Sequence, residues 1–548
     1  MQGEFRGDFT RDTFRSFKHF TRVLMQQGRV HLDADWNEQT SILLRYLQAL
    51  ASDLIGPHGG PLDADGASFT SFKILSLDGV SDDFEIGPGH YYVDGILCEL
   101  AATFVPVITI PNLNSNQLQV ASLRVDGLDL ARGQFVEVRT THAPDPQKSV
   151  TAKITDISDD QTLTLDLPSL AQFPGKTKPV LRRVVTFRTQ SDYPIPANQA
   201  IGTDRSLVYL DVWERHISCS EDDSIREVAL GGPDTATRAK IVWQVKIDPE
   251  ISDCPKEPNA WAGFLDKHQP RNRGRLKARA KQESVSTDPC IILPESSYRG
   301  AENQLYRVEI HTGTNFTDNK PTFKWSRDNS SVEFAARTLQ PPVVTLAHLW
   351  RDSRSALKVD DWVELVDDSM VLLGTGGILM QVESIGDPAE MTVTLKPPGP
   401  GLPQPAKYEA NDPRHPLLRR WDYQAGKLEA GRAELGADGA LLIPTDVPKW
   451  IELEDGVQIL FVVGSRSQPN QFRAGDYWLI AARTVTGDLK WPVEGEDGNL
   501  VPAALPPHGI EHHYAPLGII SGAGGKVNPP LLADDCRKPF KTVVGLTP

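Results

Sequence analysis

A mainly β, multidomain fold is predicted, built of sandwiches and barrels with an N-terminal helix and two inserted small barrels of SH3-like or OB-like type. Three observations point to it. Turn signals interrupt short alternating runs every 8 to 12 residues or so along most of the chain, the pattern of antiparallel sheets closed on themselves or packed face to face. Two distant stretches repeat one another. One long stretch alone, from Phe20 to Pro57, carries a helical period.

Residues 1 to 19 hold Phe5, Phe9, Phe14 and Phe17 among charges, with no periodicity that buries the rings together. Two readings stay open: an arm packed on its own domain, or one laid across a neighbouring subunit. In the helical stretch Asp35 is placed as N-cap, with Glu38 three residues on completing a capping box. Trp36, Leu43, Leu44, Leu47, Leu50 and Leu54 then recur near a period of 3.6, so one face is apolar. Gly56 suits a left-handed C-cap, and Pro57 prevents continuation. The stripe needs a cover, and the β core or a neighbouring subunit is large enough to supply it. Asp33, Asp35 and Asn37 imitate the start of a calcium loop, but Glu38 stands where the turn needs glycine and Leu44 where a bidentate carboxylate is needed. Capping and turn chemistry accounts for the acids.

After a Gly/Pro-rich loop, the run to Leu100 reads as short strands, with Tyr91 and Tyr92 as strand packing. The repeat follows. LARGQFVEV and AKITDISDDQTLTLDLP (130–168) match LKVDDWVEL and MQVESIGDPAEMTVTLKPP (357–398). Phe135 answers Trp362, Val136-Glu137 answers Val363-Glu364, and Leu163-Thr164-Leu165 answers Val393-Thr394-Leu395. The division expected is an arm and helix over 1–62, core strands over 63–117, a first barrel over 118–170, a central β core over 171–340, a second barrel over 341–400 and a C-terminal β domain over 401–548.

Within the central part, Val208, Leu210 and Val212 alternate with Tyr209, Asp211 and Trp213 as a strand, and IVWQVKI is another. Gly231-Gly232-Pro233-Asp234 between them is turn chemistry. Glu214, Arg215, Asp222, Arg226, Glu227, Asp234 and Arg238 mix signs closely enough for a structural ion-pair network. Arg273, Arg275, Lys277, Arg279 and Lys281 fall at period two, which puts every charge on one strand face and the small residues on the other. No aromatic interleaves the run, so an acidic protein surface, its own or a partner's, fits it better than nucleic acid.

Composition narrows the classes further. Fifty-seven basic residues against 72 acidic give a formal charge of −15, which argues against a general nucleic-acid binder. No apolar run approaches the ~20 residues of a bilayer span, and the N-terminus lacks the apolar segment of a secretory signal. Assembly in the cytoplasm is the expectation. Five cysteines at irregular spacing form no disulfide framework; Cys254 and Cys290 either pair or stay reduced, and reduced thiols suit the cytoplasm. His508, His512 and His513 come nearest to a metal set. Pro506, Pro507 and Gly509 make their segment irregular, so packed or solvent histidines are expected, with no metal and no cofactor. SGAGGKV (521–527) lacks the first glycine of a phosphate loop and the hydroxyl residue after Lys526. No GxSxG, HExxH or catalytic Cys/His arrangement is present, and the residues alone read as a non-catalytic β protein.

GRVHLDADWNEQ, YLDVWERHIS with IREVALGGPDTATRAKIVWQVK, ENQLYRVEIH followed by TFKWSRDNSSV, GDYWLIAART and HGIEHHYAPLGII together run over nearly the whole chain. They resemble an uncharacterised-domain family found among contractile injection systems and phage-tail-like particles. That resemblance implies a structural component present in symmetric copies, contacting other particle subunits, either baseplate- or spike-associated or an outer cage or cap element. A receptor- or glycan-binding fibre and a glycan-cleaving tail enzyme are the alternatives; the latter needs two carboxylates about 5 to 10 Å apart in a cleft.

Overall fold

The computed structural model describes residues 3–541, apart from 78, 79, 81, 113, 141–147, 174–178, 197, 198, 200, 203, 256, 257, 271, 282–296, 315–319, 351, 427–430, 465–468, 496–499, 524, 525 and 529–533. It is β-rich as the turn spacing predicts, with two closed six-stranded barrels. The chain divides into two compact units. The first comprises 1–45, 213–240 and 265–511; the second comprises 46–212, 241–264 and 512–548. Among the described residues no helix is long and apolar enough to cross a membrane.

Each unit carries one barrel. Strands Val105–Thr109, Gln117–Val120, Phe135–Thr140, Ser149–Ile157, Thr162–Leu165 and Pro179–Val184 close the first; Glu333–Gln340, Val343–Leu346, Trp362–Val366, Ile378–Ile385, Thr392–Leu395 and Leu417–Trp421 close the second. Numbered by chain order, both rings run 1-2-5-4-3-6. Register agrees residue for residue: Phe135 pairs with Lys153 and Val184, and Trp362 with Gln381 and Trp421. The bulges agree too, falling between Ile154 and Asp156 in one barrel and between Val382 and Ser384 in the other. A one-residue insertion re-aims the strand after it, so keeping it at the same step keeps the same barrel. Val136 and Val363 fill the interiors. Phe135 and Trp362 occupy equivalent positions on the outer faces, Phe135 against Leu77 and Val184, Trp362 stacked on Tyr423. The barrels reach beyond 118–170 and 341–400 because the first and last strand of each ring lie outside the repeat.

The larger sheets also share a strand order. In the second unit the order is Arg238–Asp248, Ser206–Ile217, His513–Ala523, Lys526–Asn528; in the first unit Thr322–Ser326, Gln304–Thr312, Tyr477–Arg483 and Asp488–Lys490 follow the same order, with Leu441–Leu442 added at the edge. Asp211 lies opposite Tyr514 in one, and Glu309 opposite Tyr477 in the other. Each acid meets a lysine of the next strand, Lys246 at 2.6 Å from Asp211 and Lys324 at 3.3 Å from Glu309. Both sheets are two-faced. In the first unit Tyr306, Val308, Ile310, Phe323, Trp325, Trp478 and Ile480 pack against the three-stranded sheet of Leu276–Ala280, Val457–Phe461 and Ile451–Glu452; the alternate residues carry charge.

The helix, α1, spans Asp33–Ile55. It begins two residues before the expected cap: Leu32 O accepts the N–H groups of Asp35 and Trp36, and Asp35 sits inside the first turn. Asp33 instead accepts from the Thr10 N–H and hydroxyl at 2.9 and 2.6 Å, and Glu38 from the Thr13 hydroxyl at 2.6 Å. Side chains of the arm therefore take the acids that were assigned to capping. At the other end Gly56 adopts φ +92° and its N–H bonds to Ser52 O at 2.8 Å, the left-handed close expected of glycine. The face of α1 is inverted. Ala34 and Ile42 are its buried residues, Ser41, Gln48, Ser52 and Ile55 are half-buried, and the leucine stripe is exposed. Gln48 O lies 2.1 Å from where a Cβ on Gly95 would sit, so only glycine, here at φ +80°, admits the helix that close.

Cys254 is bonded to Cys536, 282 residues away, whereas Cys290 lies outside the described residues. Cys98 is buried, and burial pushes its thiol pKa up. A bond closing so long a loop removes much unfolded-chain entropy, on the order of 3–5 kcal/mol. Cys536→Ser is expected to lower the unfolding midpoint of the second unit; an unchanged midpoint in denaturant titration contradicts this.

Candidate functional site

The charged face of the Gln304–Thr312 sheet carries the densest chemistry in the first unit. Alternation that sends Tyr306, Val308 and Ile310 into the sandwich sends Arg307, Glu309 and His311 the other way. Charges without solvent need partners, and the N-terminal arm supplies one. Arg6 Nη1 stands 2.8 Å from Glu309 Oε2, and its Nε donates to Glu4 at 2.5 Å. Arg307 Nε donates to Glu309 at 2.6 Å. Lys324 bridges Glu309 to Glu364 Oε1 at 2.5 Å, and Trp421 Nε1 donates to the other Glu364 oxygen at 2.9 Å. All are buried. Burial raises the cost of each charge, but the cations outweigh it: Glu364 is lowered to about 2 by Lys324 and His311, and Glu309 is held well below the carboxylate range by Arg6, Arg307 and Lys324.

Backbone contacts thread the arm into this layer. Tyr477 donates its hydroxyl to Gly3 O at 2.8 Å, Arg307 to Phe5 O at 3.1 Å, and Asn329 to Gly7 O at 2.8 Å. The ring of Phe5 meets His216 edge-on, and Phe9 and Phe14 are half-buried. As far as Phe14 the arm lies on its own unit, anchored by Glu4 and Arg6 rather than by its aromatic rings. A second group adjoins: Arg215 binds Glu221 at 2.6 Å and Asp368 at 2.5 Å, and Arg419 binds Glu333 at 3.2 Å. Glu221 is a local partner of Arg215 that the expected network did not name, and Asp368, 153 residues on, is one that only the fold brings to it. Enclosed charge of this kind fixes position and register.

Burial also sets the pH response of this unit. Desolvation, helped by Arg419 and Arg6 at His216 and by Lys324 at His311, lowers both histidines to about 4. They stay neutral in the fold while the unfolded chain protonates near 6.5, so stability is full above pH 6.5 and falls as pH drops toward 4. Asp476 opposes them: desolvation raises it to about 6 despite Arg473 and Arg273, and its contribution grows as pH falls through that range. His508, lowered by desolvation to about 4, acts with the two histidines, and Glu221, Asp328, Asp361 and Glu454, raised by desolvation, act with Asp476. Relative to the wild type, a His216→Gln/His311→Gln pair should lose less, or gain more, in melting temperature between pH 7 and 4.5.

Sequence-predicted sites are dispersed. Leu276, Ala278 and Ala280 point inward and the basic side chains outward, as the period-two spacing requires. Four of the cations find partners in their own unit. Arg273 binds Asp476 at 2.9 Å, Lys277 binds Glu494 at 3.7 Å, Lys281 binds Glu452 at 2.9 Å, and Arg279 stacks 4.0 Å from Trp450; Arg275 is exposed. The histidines separate. His508 stacks on Tyr477 in the first unit, whereas in the second His512 pairs with Asp211 at 2.6 Å and His513 with Asp94 at 2.9 Å. Among the described residues no three potential ligands gather into a metal site.

An exposed apolar face runs along α1 and the loop before it. Trp36 is 76% exposed, Leu47 64% and Leu54 77%, with Leu43, Leu44 and Leu50 also exposed. Before the helix, nearly every residue from Arg15 to Asp33 is exposed, including Phe17, Phe20, Leu24, Met25 and Val30. A cavity of about 310 Å³ opens where this loop turns onto the helix, lined by Val23, Met25, Leu32 and Trp36 together with the polar His31, Asp33, Asp35 and Gln39. Soluble monomers rarely leave so continuous an apolar patch uncovered, and it is the surface best suited to a protein contact. Periodicity located this stripe, but spacing alone does not tell inward from outward.

A model of the family of unknown function DUF6519 matches residues 5–136, 191–254 and 264–529. No curated protein and no solved structure matches the chain.

Proposed function

We propose that this chain, which belongs to the DUF6519 family, is a structural subunit of a phage-tail-like contractile injection particle, baseplate- or spike-associated or part of an outer cage or cap, that works through symmetric assembly with other subunits. The observation that carries the assembly is the exposed apolar face of α1. The motif resemblance from GRVHLDADWNEQ to HGIEHHYAPLGII supplies the particle as its setting. The first unit suits the role: its charges are enclosed and paired, and the arm is tied into its sheet. Exposed aliphatic side chains, Leu24, Met25, Val30 and the leucines of α1, outnumber the exposed rings of Trp36, Phe17 and Phe20, which favours a protein contact over a glycan platform.

The test is to tag the chain in its native host, purify sheathed particles by sedimentation, and quantify subunits by mass spectrometry. Co-sedimentation in a fixed multiple-copy ratio to sheath protein is expected. Absence from intact particles overturns the reading.

A further inference from the structure

We infer that the exposed face of α1 is one half of a helix-to-helix contact whose other half is the same face of a second copy of this chain. The inference rests on the structural-subunit reading above and narrows it to one element and one partner.

The first ground is the period. Trp36, Leu43 and Leu50 stand seven apart, and so do Thr40, Leu47 and Leu54, the two series offset by four and three. That is the a/d spacing of a coiled-coil seam, in which each side chain enters a hole formed by four residues of a facing helix. All six are exposed. The side of α1 turned to its own protein carries Ala34, Ser41, Ile42, Gln48, Ser52 and Ile55, a narrow and mostly small or polar stripe. The helix therefore presents its knobs outward. Among the described residues no hole receives them.

Area is the second ground. The five large seam residues, with flanking Leu44 and Tyr46 and with Phe17, Phe20 and Leu24 of the preceding loop, expose on the order of 1,000 Å² of side chain, taking roughly 60–100 Å² per leucine and more per aromatic ring. A stable protein interface needs about 800 Å² from each partner. One copy exposes that much on α1 and the loop before it.

Charge chooses the partner. Positions flanking the seam are Asn37, Gln39, Leu44, Tyr46, Ala51 and Asp53, so a single charge adjoins it. Heterotypic helix pairs are commonly specified by complementary charges at those positions; here almost nothing repels an identical helix and almost nothing selects a different one. A lipid surface is disfavoured, because α1 carries Asp33, Asp35, Glu38 and Asp53 against Arg45 alone, the reverse of the basic face of membrane-lying helices.

The experiment is sedimentation of the full-length wild-type chain and a Leu47→Asp/Leu50→Asp variant across a micromolar range. Both leucines are exposed in the single copy, so the variant should keep the wild-type circular dichroism and, at dilutions where both are monomeric, the wild-type melting temperature. The expected result is a concentration-dependent dimer or larger closed oligomer for the wild type and association at least ~100-fold weaker for the variant. A wild type that stays monomeric throughout overturns the inference, and so does an oligomer that the variant leaves intact. A chain found monomeric here yet present in purified particles would refute the homotypic contact alone; a chain that pairs through α1 yet is absent from particles would refute the particle reading alone.

Discussion

Arg6→Met is expected to destabilise the first unit by about 3–5 kcal/mol, the cost of breaking a buried ion pair by removing one partner. Glu309 would keep Arg307 at 2.6 Å and Lys324 at 3.3 Å. Glu4 would lose the cation beside it while remaining enclosed, and an enclosed carboxylate without its counter-charge is the expensive species. The arm then has reason to leave the sheet, so amide exchange at residues 3 to 9 should accelerate together with a fall in the denaturation midpoint. Glu4→Gln combined with Arg6→Met removes both charges and should recover part of the loss, since neutral groups of similar shape avoid the uncompensated ion. A single variant that unfolds like the wild type would show that the network does not hold the arm.

Leu47→Ala is expected to separate folding from assembly. Were the leucine stripe packed on its own core, the truncation would cost about 2–5 kcal/mol. With Leu47 64% exposed, the dilute chain should lose less than about 0.5 kcal/mol, as surface substitutions do. The loss appears instead in association. A central interface leucine truncated to alanine costs about 2 kcal/mol when it is an anchor, near a 30-fold weaker association constant. A clear drop in the melting temperature of the monomer, with association unchanged, would return the stripe to an internal role.

How much of this was legible in the sequence differs from element to element. The existence and end of α1 were, because a 3.6 period and a Gly-Pro stop are local signals. Its start was misplaced by two residues, since Asp33 and Glu38 answer to Thr10 and Thr13 of the arm, contacts across more than twenty residues that no capping rule contains. The stripe was legible and the direction it faces was not. The barrels could be read from their central strands, where Val136-Glu137 and Val363-Glu364 kept spacing and type. Their closing strands fell outside the match, although LRRV at 181–184 and LRRW at 418–421 hold the same ring positions. The shared strand order of the sheets went unread, because LDV at 210–212 and VEI at 308–310 have in common only an acid between two apolar residues. The buried charge layer joins residues some 300 positions apart, as does the Cys254–Cys536 bond, and alternation marked Arg307 and Glu309 only as the outer face of a strand. The period-two basic run was read correctly for its faces, and most of its cations meet acidic or aromatic side chains of their own unit.

The most direct measurement is a density map of the assembled particle at a resolution that separates helices. The account predicts this chain in multiple symmetry-related copies, with Trp36, Leu43, Leu47, Leu50 and Leu54 of one copy interleaved with the same residues of its neighbour. A map in which the chain is absent, or in which that face of α1 stands in solvent, would contradict it.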